Sequence, residues 1–471
     1  MSGACVWAGE ISGGIFHLSA IRKSIEPWYA AFLLANLVMG TSSVLIPLKL
    51  DRVLGQGPSQ LGVLSALASC AAVLGSLLWG RLSDAAHRRK AFVVLSSAMI
   101  GVAHVGLAVA ATFAGLALFN TLLSFFWIAN ASVAVLLVIE RRDDSVWEAS
   151  ISSLNLSGAL GWLIGLVAGA AWIGIASRAL SEEGGIQALL ITLSILGFAS
   201  AALGVWLIPA TEPVFTQRRF RGVMVAVGNL LLEAWRFNPL HLYHRFSLVR
   251  LTELRRETRL FLLASALAFA GIGFFAVPLA LTLSQRLGLP PSLVFYGYVM
   301  LHSGIVVAYP FALHRVKRLG NRRVQMAALG ARMILFALGA GALWLVPQLP
   351  WPAVASFMFL VGLTWSFFQL SGVALASRLA KPENRGLALG TYNAVAGSST
   401  MIAGAFSGYL AQHAGHHFTY IVAAVLLLGS VVVLWRLPDP ASLRDLDELD
   451  PEVPSATPIG SRSKGGSSEG S

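Results

Sequence analysis

Twelve long runs of apolar residues, separated by short polar stretches, set the pattern of this chain. They fall at 27–48, 59–80, 90–110, 113–139, 147–176 and 186–208, and again at 259–283, 292–313, 324–346, 351–377, 386–412 and 418–437. A helix needs about 20 apolar residues to cross a hydrocarbon core, and each run is of that order. Alternation of apolar and polar residues at period two is absent, so a barrel is not expected. Helix is required instead, because an unpaired backbone group in lipid costs several kcal/mol. The predicted fold is an all-α integral membrane protein of twelve transmembrane helices.

The polar stretches orient the runs. Residues 80–90, GRLSDAAHRRK, put one carboxylate and four Lys or Arg side chains between the second and third runs. Such a charge density predicts a loop at one membrane face. A related stretch, LHRVKRLGNRR at 313–323, returns 233 positions later between the eighth and ninth runs. Of 34 Lys and Arg residues, only Lys49, Arg52, Arg178 and Arg286 fall on the opposite side, and Arg332 lies inside a run. Basic residues collect on the cytoplasmic side. Both termini are therefore expected in the cytoplasm, with the protein multi-pass in a cell membrane.

The recurrence extends beyond that loop. LIPLKL at 45–50 is matched by AVPLAL at 276–281, and Gly57-Pro58-Ser59 by Pro290-Pro291-Ser292. The fourth run carries Phe126, Trp127, Asn130 and Ser132 and the tenth Trp365, Phe368, Gln369 and Ser371, with Trp127 and Trp365 recurring, and Asn155 matches Asn393. The shared order, at offsets of 231 to 239, predicts two pseudo-symmetric six-helix bundles related by an axis along the membrane normal. The chain divides into an amino-terminal tail (1–26), a first bundle (27–208), a central connection (209–258), a second bundle (259–437) and a tail (438–471). Within the connection, 220–237 mixes Val, Leu and Trp with Arg and Glu. This pattern fits either a helix lying in the inner headgroup layer or one packed on the bundle. The glycine- and serine-rich end of the last tail is expected to be disordered.

Composition narrows the function class. Of 471 residues, 56% are hydrophobic and 12% charged, with mean hydropathy +0.72. A soluble domain carries roughly 25% charged residues. The net charge of +12 sits in loops, so anionic lipid headgroups rather than nucleic acid are the expected partner. Cys5 and Cys70 offer neither a disulfide framework nor metal spacing. The first 26 residues lack a signal-peptide core followed by a cleavage site. No phosphate-binding lysine motif, zinc spacing or serine–histidine–acid order stands out, so neither an enzyme nor a cofactor or metal is expected.

The 80–90 stretch carries a family resemblance. Gly80, Asp84, Arg88 and Arg89, with Lys90 following, resemble the Gly-x-x-x-Asp-(Arg/Lys)-x-Gly-(Arg/Lys)-(Arg/Lys) loop of the major facilitator superfamily, and the likeness covers roughly 27–437. Ala85 and His87 depart from the pattern, and Lys317 replaces the acid in the second half. The resemblance implies alternating access of two bundles about one central site. Asp84 would then latch near the start of span eleven, with Gly80, Arg88 and Arg89 in the same device; the bland alternative is a loop that only anchors topology. Glu140, Arg378 and Arg385 are candidates for an ion-pair gate, or else a solvated charge cluster.

The resemblance also implies that spans one, four, five, seven, eight, ten and eleven line the cavity. Their middles give the candidate substrate-binding residues Asn36, Phe126, Trp127, Asn130, Asn155, Trp365, Phe368, Gln369 and Asn393, with Trp162, Phe274, Tyr298 and His302 nearby. Likeness to the drug-efflux branch is partial: span five reads GALGWLIGLVAG without proline, and no Asp or Glu lies mid-span. If protons couple, His302 is preferred over His104, which falls in a supporting span. A monomeric secondary transporter exporting an amphiphilic small molecule is the leading expectation. Uptake of a neutral polar solute such as a sugar, and a non-transporting sensor or scaffold, are the alternatives.

Overall fold

The computed structural model describes residues 26–86, 89–141, 147–209, 256–346, 348–379 and 385–437. Residues 1–25, residues 210–255 of the connection with the 220–237 stretch, Arg88 and the last tail lie outside the described residues. Gly80, Asp84, Glu140 and Arg385 are placed on helix backbone alone.

Twelve long helices account for the apolar runs. The first six are α1 (Tyr29–Leu48), α2 (Pro58–Ala86), α3 (Arg89–Val109), α4 (Phe113–Arg141), α5 (Trp147–Ala179) and α6 (Glu182–Leu207). The second six are α7 (Arg256–Ala276), α8 (Pro291–Leu319), α9 (Asn321–Leu345), α10 (Trp351–Arg378), α11 (Arg385–His413) and α12 (His416–Trp435). Eleven of them have the length and hydropathy of a membrane span. The exception, α11, is 29 residues long but rich in Gly, Ser and Thr. Among the described residues there is no strand.

The expected loop at 80–90 is mostly helix. α2 runs on through Gly80 to Ala86, and α3 begins at Arg89. A 29-residue helix is about 44 Å long, whereas the hydrocarbon core is about 30 Å. The charged end can therefore stand beyond the lipid without unwinding. The second basic stretch behaves alike. α8 continues to Leu319, and Gly320 alone, at φ 81°, turns the chain into α9. Glycine takes that left-handed conformation without the Cβ clash other residues meet.

Packing repeats with a period of six helices. In the first half α1 lies on α5 and α6, α3 on α4 and α6, and α2 on α4. In the second half α7 lies on α11 and α12, α9 on α10 and α12, and α8 on α10. Small residues permit the tightest of these approaches. A Cβ on Gly161 would stand 2.2 Å from the Leu33 carbonyl oxygen, so α1 and α5 meet backbone to backbone there.

The repeat reaches the helix ends. α1 continues as a π-turn, Lys49–Val53, and α7 is followed, past Pro278, by a π-turn at Thr282–Arg286. Gly55 and Gly288, at φ 60° and 63°, close the two turns. Four cations then cap helix carboxyl ends in matched pairs. Lys49, only 3% exposed, donates from Nζ to the carbonyls of Leu107 and Ala108 at the end of α3. Arg286 donates to Leu343 at the end of α9. Lys90 donates to Val205 at the end of α6, and Arg322 to Leu434 and Trp435 at the end of α12. Each cation meets carbonyls that have no partner within their own helix and the negative end of a helix dipole. Two members of the basic stretches are thus helix caps.

Candidate functional site

Among the described residues, the two halves meet closely at one end. There the π-turns face each other across the pseudo-two-fold axis. Asp51 and Ser284, which are equivalent positions 233 residues apart, bond directly, the Ser284 hydroxyl donating to Asp51 Oδ2. Gln285 Nε2 donates to Asp51 Oδ1 at 2.7 Å. Arg52 donates from Nε to Ser284 Oγ at 3.1 Å and reaches the Ser284 and Leu289 carbonyls at 3.4 Å. It also pairs with Asp51 at 3.3 Å and Glu182 at 3.6 Å.

Two helix pairs flank this cluster. α2 packs on α11, where Gly62 faces the Gly404 carbonyl and Gly408 faces the Pro58 carbonyl, with Gln412 accepting from the Ser59 amide. α5 packs on α8, where Phe295 lies against Gly169. Phe295 is the counterpart of Gly62, so one contact is glycine on glycine and the other is ring on glycine. Further from the cluster, α2 and α11 still touch at Val73 and Gly397, and α5 and α8 at Trp162 and His302. Among the described residues, these hydrogen bonds and ring contacts between the halves lie between the π-turns and this level.

Trp162 and His302 form the innermost of these contacts, with ring centroids 6.1 Å apart and an interplanar angle of 26°. Both carry an unused polar atom. Trp162 Nε1 is shielded and has no hydrogen-bond partner. His302 Nδ1 lies 2.9 Å from the Tyr298 carbonyl, which makes Nδ1 the protonated nitrogen and leaves Nε2 an acceptor. Two turns beyond this level on α10, Gln369 Oε1 is buried without a partner. A shielded polar atom left unpaired costs about 1–3 kcal/mol. A solute bringing an acceptor to Trp162 and a donor to Gln369 recovers that energy, and a second donor can meet His302 Nε2.

The other expected residues are distributed as follows. Asn155 and Asn393 are exposed, on α5 and α11. Asn36 Nδ2 donates to the Phe32 carbonyl of its own helix, and Gly158 and Gly161 of α5 pack against the side chain. Asn130 donates to Ser97 of α3 at 2.8 Å and keeps an unpartnered Oδ1. Phe126 stacks obliquely on Trp79 within the first half, and Trp127 is half-buried. Phe368 is buried against Phe269, edge to face, with Trp365 beside it. Arg378 is exposed at the end of α10, and Arg89 is half-buried at the start of α3. His104 is fully buried between the Ile100 carbonyl and the Ser42 hydroxyl, both at 2.7 Å, and serves to join α1 to α3. The cluster of Asp51, Arg52, Ser284 and Gln285 escapes a reading of span middles. Its signal is an Asp-Arg pair at the end of a run, with its counterpart 233 positions on.

These features agree with the family comparison. The model of the Major Facilitator Superfamily matches residues 28–336 and 304–464, and the chain belongs to that superfamily. Solved structures share its fold at low identity. The nucleoside transporter NupG is 15% identical, with TM-score 0.64 over 87% of this chain and 97% of its own. A D-xylose–proton symporter is 14% identical, with TM-score 0.65 over 88% and 98%. A bacterial homologue of the human lysosomal transporter Spinster, inward-facing and occupied, is 10% identical, with TM-score 0.65 over 87% and 95%. No curated protein sequence matches the chain. The fold is that of a multi-pass secondary transporter of small molecules.

Proposed function

We propose that the protein exports an amphiphilic small molecule by rocking its two bundles about a central site at Trp162 and His302. One observation carries this reading: among the described residues the halves are latched at one end by contacts that obey the pseudo-two-fold axis, and the innermost contact leaves the Trp162 Nε1 without a partner. The excess of basic residues at the other end makes the latched end external. The arrangement is then inward-facing, as in the Spinster homologue, and open to solute from the cytoplasm.

In this reading Trp162, Trp365 and Phe126 with Trp127 supply apolar area, while Gln369, Asn155 and Asn393, with Asn36 and Asn130, supply hydrogen bonds. His302, whose Nε2 is free to take a proton, couples the cycle to a proton gradient. Asp84 and the arginines near it latch the cytoplasmic end when the external end opens, with Glu140, Arg378 and Arg385 alongside. The protein works as a monomer in the cell membrane, with cytoplasmic termini and anionic headgroups around its basic face.

The test is flux in proteoliposomes under an imposed proton gradient, with a panel of neutral amphiphiles, organic anions, lipophilic cations and sugars. Movement of an amphiphile with a matching proton movement supports the reading. Transport of sugars alone would replace it with uptake of a polar solute, and no flux from folded protein would remove transport altogether.

A further inference from the structure

Arg332 sits at the middle of α9, 3% exposed, and is the one charged residue in the interior of a span. Its acceptors are neutral: the guanidinium donates to the Val361 carbonyl at 2.6 Å and to Thr364 Oγ1 at 3.1 Å, both on α10. Its flat face lies over aromatic rings, 5.3 Å from the centroid of Trp365 and 5.8 Å from that of Phe336. Among the described residues no carboxylate is paired with it. From Thr258 to Pro438 the sequence holds a single acidic residue, Glu383, against twelve Lys and Arg. The first half places its acids only at span ends and in loops: Asp51, Asp84, Glu140, Asp143, Asp144, Glu148, Glu182 and Glu183. Arg52, at the latched end, is paired with Asp51 and Glu182.

A guanidinium in this setting keeps its charge, because two strong acceptors and two ring faces hold the cationic form. A charge taken out of water is costly unless something answers it, and an intramembrane cation is retained for a reason. Helix stapling alone is a weak reason, since a neutral glutamine could bond Val361 and Thr364. The field of the charge is the distinguishing property, and in a low dielectric it reaches well past the first neighbour. Trp365, which the transport reading above counts in the site, lies against Arg332 and is one helical turn from Gln369.

We infer that Arg332 sets the charge preference of the pathway: the transported solute is an amphiphilic organic anion, such as a carboxylate or sulfonate on an aromatic body, and lipophilic cations are refused. This rests on the transport reading above and narrows its substrate. Arg332 acts through Trp365 and need not touch the solute. It is therefore a positioning and selectivity residue.

The experiment compares three probes with one body, a naphthalene sulfonate, a naphthyl alcohol and a naphthyl trimethylammonium, in proteoliposomes clamped at zero membrane potential. The expected result for the unaltered protein is sulfonate flux at least tenfold above that of the ammonium. In Arg332→Gln the KM for the sulfonate rises about tenfold and the sulfonate-to-ammonium ratio falls toward one, while the alcohol is little affected. Arg332→Lys keeps most of the preference. If Arg332→Gln does not fold, the ratio in the unaltered protein decides: preference for the ammonium, or no charge preference, overturns the inference. An unchanged ratio in folded Arg332→Gln overturns it too. Flux without charge preference removes only this inference, whereas no flux of any probe removes the transport reading with it.

Discussion

Replacing Asp51 with alanine tests whether the contact between the π-turns holds the latched end shut. Asp51 is the acceptor for both Ser284 Oγ and Gln285 Nε2, and it also neutralises Arg52. Hydrogen bonds to a charged group are worth about 1.5–3 kcal/mol each when shielded. The bond from exposed Gln285 counts for less, because solvent competes for it, so the pair together is worth roughly 2 kcal/mol. With a factor of ten per 1.4 kcal/mol, the ratio of latched to unlatched molecules should fall about 30-fold. The packing of α2 on α11 and of α5 on α8 remains, which keeps the shift finite. The assay is electron–electron spin distance in nanodiscs, with labels on Glu183→Cys and Gln348→Cys and both native cysteines changed to serine. Glu183 and Gln348 are exposed and belong to opposite halves. In the parent the short distance should dominate. In Asp51→Ala a longer distance should gain population by the stated factor, and Asp51→Asn should fall between. An unchanged distribution in a folded Asp51→Ala protein would refute the role given to this cluster.

Three further outcomes are expected. Gly408→Val places a Cβ 2.2 Å from the Pro58 carbonyl oxygen, so the glycine contact between α2 and α11 cannot close; the short spin distance should be lost and flux should stop. Lys49→Met removes the donor from the Leu107 and Ala108 carbonyls, and the cost of about 1–3 kcal/mol should appear as a lower thermal unfolding midpoint in detergent. His302→Ala should flatten the pH dependence of solute flux while leaving counterflow measurable; a flux profile identical to the parent would exclude His302 as the coupling site.

The helical architecture was legible because lipid allows so few solutions. A run of 20 apolar residues can do little but span, and the charged stretches can do little but end a span. The repeat was legible too, from Pro47 and Pro278 and from the two basic stretches. Helix ends were less so. Residues 80–86 carry charge, which reads as loop, but charge is no obstacle to a helix that overshoots the membrane. The site divides along the same line. Trp162 and His302 are visible as span-middle residues on helices expected to face the cavity, yet their stacking depends on the rotation of two helices in different halves. Asn130 and Phe368 look equivalent to them in sequence and instead face Ser97 and Phe269 of their own halves. Lys90 and Arg322 read as topology signals, and only the packing reveals that each caps a neighbouring helix. The meaning of Asp51 required the symmetry axis, because its partner is its own counterpart in the other half.

The central claim, that transport requires the latched end to open, is tested most directly by tying that end shut. With Asp51→Cys and Ser284→Cys in a background lacking native cysteines, a short thiol-to-thiol reagent can bridge the two π-turns. Solute flux in proteoliposomes is then measured before bridging, after bridging, and after reduction. The account requires flux to cease on bridging and to return on release. Equal flux in bridged and unbridged protein would contradict alternating access at this interface.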